Sequence, residues 1–186
     1  MQLDTSAPKS YDTAERVITM ELNTSRLTIR HFQADDVCDL HEIFRDEQTM
    51  ACCEPVYDFA KTERFLADFC IAQNGALAAV HRESGKVICY LLFNPFDEGV
   101  YEMGWFFNRQ YWRQGYAYEA CKAVIDHAFN ELNAHKVFAE TIDAAKSVGL
   151  MKKLGMRLEG VQRSQTKDND GNWADLYFYG LLREDG

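Results

Sequence analysis

Polar and apolar positions alternate along "SRLTIRHF" (25–32), and that period of two predicts a strand. Ahead of it, residues 1–20 are polar with one weak apolar cluster. They read as a loose arm or short helix, so the folded domain is expected over 21–186. In "QADDVCDLHEIFRD" (33–46) the period changes, and Val37, Leu40 and Phe44 recur at helical spacing behind capping-type residues. "FAKTERFLADFCIAQNG" (59–75) predicts a second helix, with Phe65, Phe69 and Ile71 among its apolar residues and Gly75 as its stop. Three strands in series follow at 76–82, 86–94 and 99–108, separated by the turn sequences "ESG" and "PFDEG". The next helix runs to about Glu131, with Ala117, Cys121, Val124 and Ala128 on one face. "KVFAETI" (136–142) predicts a strand, and "AKSVGLMKKLG" (145–155) a short helix ended by Gly155. Residues 156–167 and 172–182 form a closing hairpin across "DNDG". The order β-α-α-β-β-β-α-β-α-β-β predicts an α/β fold, a mixed central sheet with helices on both faces.

Composition narrows the function classes. A chain of 186 residues, 47% hydrophobic, suits one domain with a sizeable core. Acidic residues outnumber basic ones, 29 to 20, for a net charge of −9. That argues against nucleic acid and against an anionic membrane surface as partners. It permits a cationic substrate, though many proteins are acidic only because charge keeps them apart. The six cysteines show no ladder of spacings and no CxxC, three sit in apolar patterns, and Cys52-Cys53 is vicinal. The thiols read as reduced and the compartment as cytoplasmic. No apolar run is long enough for a transmembrane helix, and the first residues lack a signal-peptide pattern. No metal is expected. The five histidines are scattered, and "DNDG" lacks the acidic spacing and closing glutamate of a calcium loop.

The chemistry concentrates around "QYWRQGYAYEA" (110–120). A glycine between strand and helix lets a ligand approach the backbone closely, and the first helical N–H groups lack intrahelical partners. Those amides and the positive helix end suit a phosphate or pyrophosphate. By itself, Gly115 reads equally well as a plain turn glycine. The preceding strand carries Glu102 in "YEMGWFF", where Glu102, Gly104 and Phe106 share a face. Downstream stands "KKLGM".

Together these residues resemble the GNAT superfamily of acyl-CoA-dependent N-acyltransferases, and more narrowly the branch that acetylates ribosomal-protein N-termini with related amine acetyltransferases. The family loop runs Gln/Arg-x-x-Gly-x-Gly/Ala before a helix with "xEA". Here it reads Trp112-Arg113-Gln114-Gly115-Tyr116-Ala117, then Tyr118-Glu119-Ala120, so Trp112 departs at the first position. "LGMRLEG" and "WADLYFYGLLRED" also match the branch, and the resemblance spans roughly 22–184. It implies a GNAT fold, with a mostly antiparallel sheet whose fourth and fifth strands splay apart. It implies acetyl-CoA as cosubstrate, its pyrophosphate on Arg113, Gln114, Gly115, Tyr116, Ala117 and Tyr118. Its pantetheine would pair with the open edge of the fourth strand, with Trp105, Phe106 and Phe107 walling the thioester slot. Three large aromatics also suit any buried strand. Arg109, Arg113, Lys152 and Lys153 are candidate cations near the phosphates or solvated surface residues.

A second family pattern, Asn-x-x-Ser before Leu-Gly-Phe, aligns Ser147 with the serine and Ala144 with the asparagine. The resemblance implies that Ser147 helps protonate the leaving thiolate, while its plainer reading is a helix N-terminal serine. Ala144 supplies no amide side chain. Attack on a thioester needs a neutral amine, and Glu102 is the candidate base, the alternative being a sheet-edge glutamate facing water. The final hairpin, where the branch can place another acid, reads "VQRSQTK" with no carboxylate. A strand N–H between 104 and 107 is the implied oxyanion donor. Tyr177 and Tyr179 face one side and read as core. The expected activity is N-acetylation of a primary amine by a monomer or homodimer, the acceptor being a protein N-terminus, amino acid, polyamine or antibiotic. The alternative is a non-catalytic acyl-CoA-binding or regulatory module.

Overall fold

The computed structural model describes residues 20–143 and 146–185. The arm, apart from Met20, and Ala144 at the family's asparagine position lie outside the described residues. Among the described residues, eight strands form one sheet in the order β1-β2-β3-β4-β5-β6-β8-β7. They are β1 (Glu21–Asn23), β2 (Leu27–His31), β3 (Leu77–His81), β4 (Val87–Asp97), β5 (Val100–Phe107), β6 (Lys136–Thr141), β7 (Arg157–Lys167) and β8 (Trp173–Leu182). Only β5 and β6 pair in parallel; the other neighbours are antiparallel. The helices are α1 (Val37–Phe44), α2 (Glu47–Met50), α3 (Phe59–Phe65), α4 (Tyr116–Asn130) and α5 (Lys146–Lys153). The expected mixed, mostly antiparallel sheet with helices on both faces is therefore the observed fold.

Each sheet face buries its own core. On one side, Ala120, Cys121, Val124, Ile125, Ala128 and Phe129 of α4, with Val148 and Met151 of α5, pack on Ile29, Leu91, Met103, Val137 and Tyr179. On the other, Leu40, Ile43 and Phe44 of α1, with Leu66 and Cys70 after α3, pack on Ala78, Val87 and Tyr90. The helical spacing of α1 recurs at i, i+3 and i+4, the stripe that one buried face requires. Tyr177 and Tyr179 both join the α4–α5 core, as the alternation predicts.

Local chemistry explains the helix ends. The Asp46 and Asp58 carboxylates accept the N–H groups of Thr49 and Lys61 at 2.9 and 2.7 Å, capping α2 and α3. Gly155 closes α5 at φ +88°, donating to the Lys152 carbonyl while Met156 donates to that of Met151.

Three features differ from the sequence expectation. The short strand β1 extends the sheet edge, so the strands expected to splay as fourth and fifth are β5 and β6. The short helix α2 was not expected. The second helix is not α-helical to Gly75. It loosens into a π-helical segment, Leu66–Ile71. Asn74, not Gly75, takes the positive φ of 50°. Gly75 serves close approach instead, because a Cβ there would lie 2.6 Å from the Phe69 ring.

Candidate active site

The parallel pairing of β5 with β6 covers only Val100–Lys136, Tyr101–Val137 and Glu102–Phe138, after which the strands part. The Asn108 N–H bonds to the Ile88 carbonyl at 2.8 Å across the β4–β5 ladder. By alternation, residues 102, 104 and 106 direct their N–H groups at β4. Those of Trp105 and Phe107 therefore face the side where β6 has left. An extended acyl chain with its own amides can add to such an edge.

The loop following this edge is ordered by contacts that the sequence does not announce. Asn108 caps the turn Arg109–Tyr111 by accepting from the Gln110 N–H. The Trp112 indole N–H donates to the Phe107 carbonyl at 2.7 Å and folds the loop back onto the strand end. The departure from the family's usual Gln or Arg thus carries a structural bond of its own. Arg113 and Gly115 take positive φ, 59° and 86°, and Gly115 opens α4. Arg113, Gln114 and Gly115 are exposed; Ala117 and Tyr118 are half-buried. The Glu119 N–H already bonds to the Gly115 carbonyl, leaving the amides of 116–118 at the head of the helix.

Glu119 locks this turn in place. It accepts from the Thr24 hydroxyl at 2.6 Å, the Ser25 hydroxyl at 3.0 Å and the Arg26 N–H at 2.9 Å. The Arg26 guanidinium adds an ion pair at 2.6 Å and donates to the Gln114 carbonyl at 2.9 Å. Burial opposes ionisation of Glu119, but these bonds from Thr24, Arg26 and Ser25 outweigh it and hold its pKa down to about 2. Arg26 also lies 4.1 Å over the ring of Tyr116, whose hydroxyl meets His81. The Tyr116 side chain is thus committed to structure, and its backbone N–H is what it can offer a ligand. The amides at the head of α4, the exposed Gly115 and the open β5 edge suit a pyrophosphate with an extended thioester arm.

The other predicted residues are dispersed around this frame. Trp105 packs against the α4–α5 core and Phe107 is buried in it, while Phe106 lies on the opposite face, 6.0 Å from the Phe44 ring. Ser147 lies in the first turn of α5 and is half-buried. Arg109 points elsewhere, pairing with Asp46 at 3.1 Å. Lys153 sits 4.8 Å over the Tyr118 ring, beside the first turn of α4.

Glu102 is half-buried on the α1–α3 face, two positions before Gly104. A second carboxylate, Glu140 of β6, faces the same way, and sequence reasoning missed it. Val137 and Ala139 are buried in the α4–α5 core, so Phe138 and Glu140 project to the other side. Although solvent reaches Glu140, partial desolvation and then the Glu102 charge raise its pKa. The loop 51–57 closes in above. Desolvation, followed by Glu54, Cys52 and Glu140, pushes Cys53 up to about 11. Desolvation and a 2.6 Å hydrogen bond to Glu54 raise Tyr57. Asn169, at the tip of the β7–β8 hairpin, donates to the Met50 and Glu54 carbonyls at 3.0 and 3.2 Å. "DNDG" is therefore a turn that also ties the hairpin to this loop. All six cysteines are thiols, and Cys70, Cys89 and Cys121 are buried. Among the described residues no cluster of His, Cys, Asp or Glu is placed to hold a metal, and no helix is long and apolar enough to cross a membrane.

A strand fork followed by an amide-bearing helix start suits a coenzyme thioester. Comparison with known proteins gives the family. The family model described as "Acetyltransferase (GNAT) domain" matches residues 26–157. The uncharacterized N-acetyltransferase YnaD of Bacillus subtilis (strain 168) is 32% identical, covering 89% of this chain and 99% of its own. A GNAT-family acetyltransferase from Bacillus anthracis superposes with TM-score 0.81 at 28% identity, covering 89% of this chain and 99% of that one. A spermidine N-acetyltransferase from Vibrio cholerae, solved in complex with CoA and spermine, shares the fold with TM-score 0.75 at 20% identity, covering 87% and 98%. The chain belongs to the GNAT acetyltransferase family.

Proposed function

We propose that this acetyltransferase moves the acetyl group of acetyl-CoA to a primary amine by direct attack in a ternary complex. The observation that carries the reading is the fork, where β5 loses its neighbour immediately before the Gly115 loop. The amides at the head of α4 would cradle the pyrophosphate, with Arg113, Gln114, Gly115, Tyr116, Ala117 and Tyr118 forming that wall. Trp105, Phe106 and Phe107 would border the arm. The Trp105 or Phe107 N–H would face the thioester oxygen as charge develops on it. Glu102 is the proposed base for the amine and Ser147 the proposed proton donor to the departing thiolate.

The acceptor side is built from α1, α3 and the 51–57 loop, and its carboxylates suit an amine that arrives as a cation. A ribosomal-protein N-terminus, an amino acid, a polyamine and an antibiotic amine are the acceptors to compare. We infer action in the cytoplasm, as a monomer or homodimer. The test is acetyl-CoA with a panel of spermidine, an aminoglycoside, free amino acids and Ala- or Ser-initiated peptides, following released thiol. Thiol release that depends on one acceptor class supports transfer. Thermal stabilisation by acetyl-CoA without turnover of any amine supports an acyl-CoA-binding module instead. Stabilisation by no CoA thioester contradicts both.

A further inference from the structure

We propose that Glu140 is a second catalytic carboxylate, standing across the fork from the open β5 edge and accepting the proton of the attacking amine. The inference rests on the transferase reading above. Its basis is the register. Glu102 pairs with Phe138 at the last position before the strands part. Glu140 is the next residue of β6 on that same face, past the split, while its backbone stays anchored to Phe178 of β8. Glu102 thus lies at the closed root of the fork and Glu140 on its free lip. Carried past the split, the register sets Glu140 level with Gly104, one residue short of Trp105, whose N–H would hold the thioester carbonyl.

The surroundings give Glu140 the character the step needs. Desolvation and the facing Glu102 raise its affinity for a proton. The charged and titratable neighbours that interact with it are Glu102 from β5 and Cys53 from the loop, next to Glu54. Its β8 neighbour Phe178 adds no charge. In the step, the amine lone pair forms the C–N bond to the thioester carbonyl and the N–H proton passes to Glu140 Oε. The tetrahedral adduct then expels the C–S electron pair as thiolate, which takes a proton from Ser147 or water. Glu102 first takes the proton of the incoming ammonium and relays it to water, so it is charged again when the neutral amine attacks, and its charge keeps the Glu140 carboxyl basic for the second proton.

The full-length protein, assayed with the fastest amine of the panel above, tests this. Glu140→Gln should lower kcat about a hundredfold or more, with the acetyl-CoA Kd within about twofold. Glu140→Asp should restore part of the loss. The base works deprotonated, so kcat/KM should rise with pH through a midpoint above the ordinary carboxylate range. Glu102→Gln removes the like charge and should move that midpoint to lower pH; Glu140→Gln should abolish it. Wild-type rate and an unchanged acid limb in Glu140→Gln would overturn the proposal and leave the transferase reading intact. If the wild type acetylates no amine, that reading fails, and carbon-13 NMR of the Glu140 carboxyl still decides the coupling. Titration above the usual range that drops in Glu102→Gln is expected. Ordinary titration, indifferent to Glu102, is the contrary result.

Discussion

The two halves of the site are made in opposite ways. The donor half is one continuous segment, from β5 through Trp112 and Gly115 into α4, held by bonds whose geometry is closed. Glu119 alone collects three hydroxyl or backbone donors besides the Arg26 guanidinium. The acceptor half is assembled from β5, β6, the 51–57 loop and the hairpin tip, and its groups are set against their solution preferences. Glu140, Cys53 and Tyr57 are all shifted toward their protonated forms. On the proposed reading, the half with satisfied bonds is the coenzyme side, and the half with displaced proton affinities is the amine side, where proton transfer would take place.

That contrast can be broken from the donor side first. Gly115→Val places a side chain at φ +86°, with its Cβ 3.3 Å from the Arg26 guanidinium, in the turn that opens the proposed cradle. We expect acetyl-CoA binding to weaken by at least about a hundredfold in calorimetry. Backbone strain should cost about 1 to 3 kcal/mol of stability besides. Gly115→Ala separates the two effects, since it keeps most of the strain and removes most of the bulk. Retained affinity in both variants would place the pyrophosphate elsewhere.

Glu119→Gln is the next largest. The folded carboxyl titrates at about 2 against an ordinary 4.5, so its stabilisation is present above 4.5 and is lost as pH falls towards 2. At neutral pH the variant should lose on the order of 2 to 3 kcal/mol in urea melts, and the gap to wild type should close between those pH values. A constant gap would mean that Glu119 contributes through shape rather than charge. The smallest effect sharpens the acceptor side. Gly75→Ala drives a Cβ against Phe69 and should cost about 1 to 2 kcal/mol. It should leave acetyl-CoA affinity unchanged, because the π-helical segment supports the α1–α3 face alone.

The same division governs what the sequence made legible. Strand and helix periods located most elements to within a few residues, and the Gly115 loop stood out because its signal is local. Glu102 was visible because its strand runs into that loop. Glu140 was not, because its relation to Glu102 depends on the register of a parallel pair joined through a whole helix. The partners of Glu119 lie 93 to 95 residues away, so only its family position could be read. Strand β1 is three residues long, too short for alternation to register. The π-helical segment shares the apolar pattern of an ordinary helix, and its bond from the Ala72 N–H to the Ala67 carbonyl, five residues back, leaves no mark on that pattern.

The central claim is that the β5 edge and the head of α4 receive the coenzyme. Residue-resolved amide exchange with and without CoA addresses it directly. Protection on binding should centre on the N–H groups of Trp105 and Phe107 and of Tyr116, Ala117 and Tyr118, with Glu102 and Gly104, which bond to β4, little changed. Unchanged exchange at those five amides in the presence of saturating CoA would contradict the account.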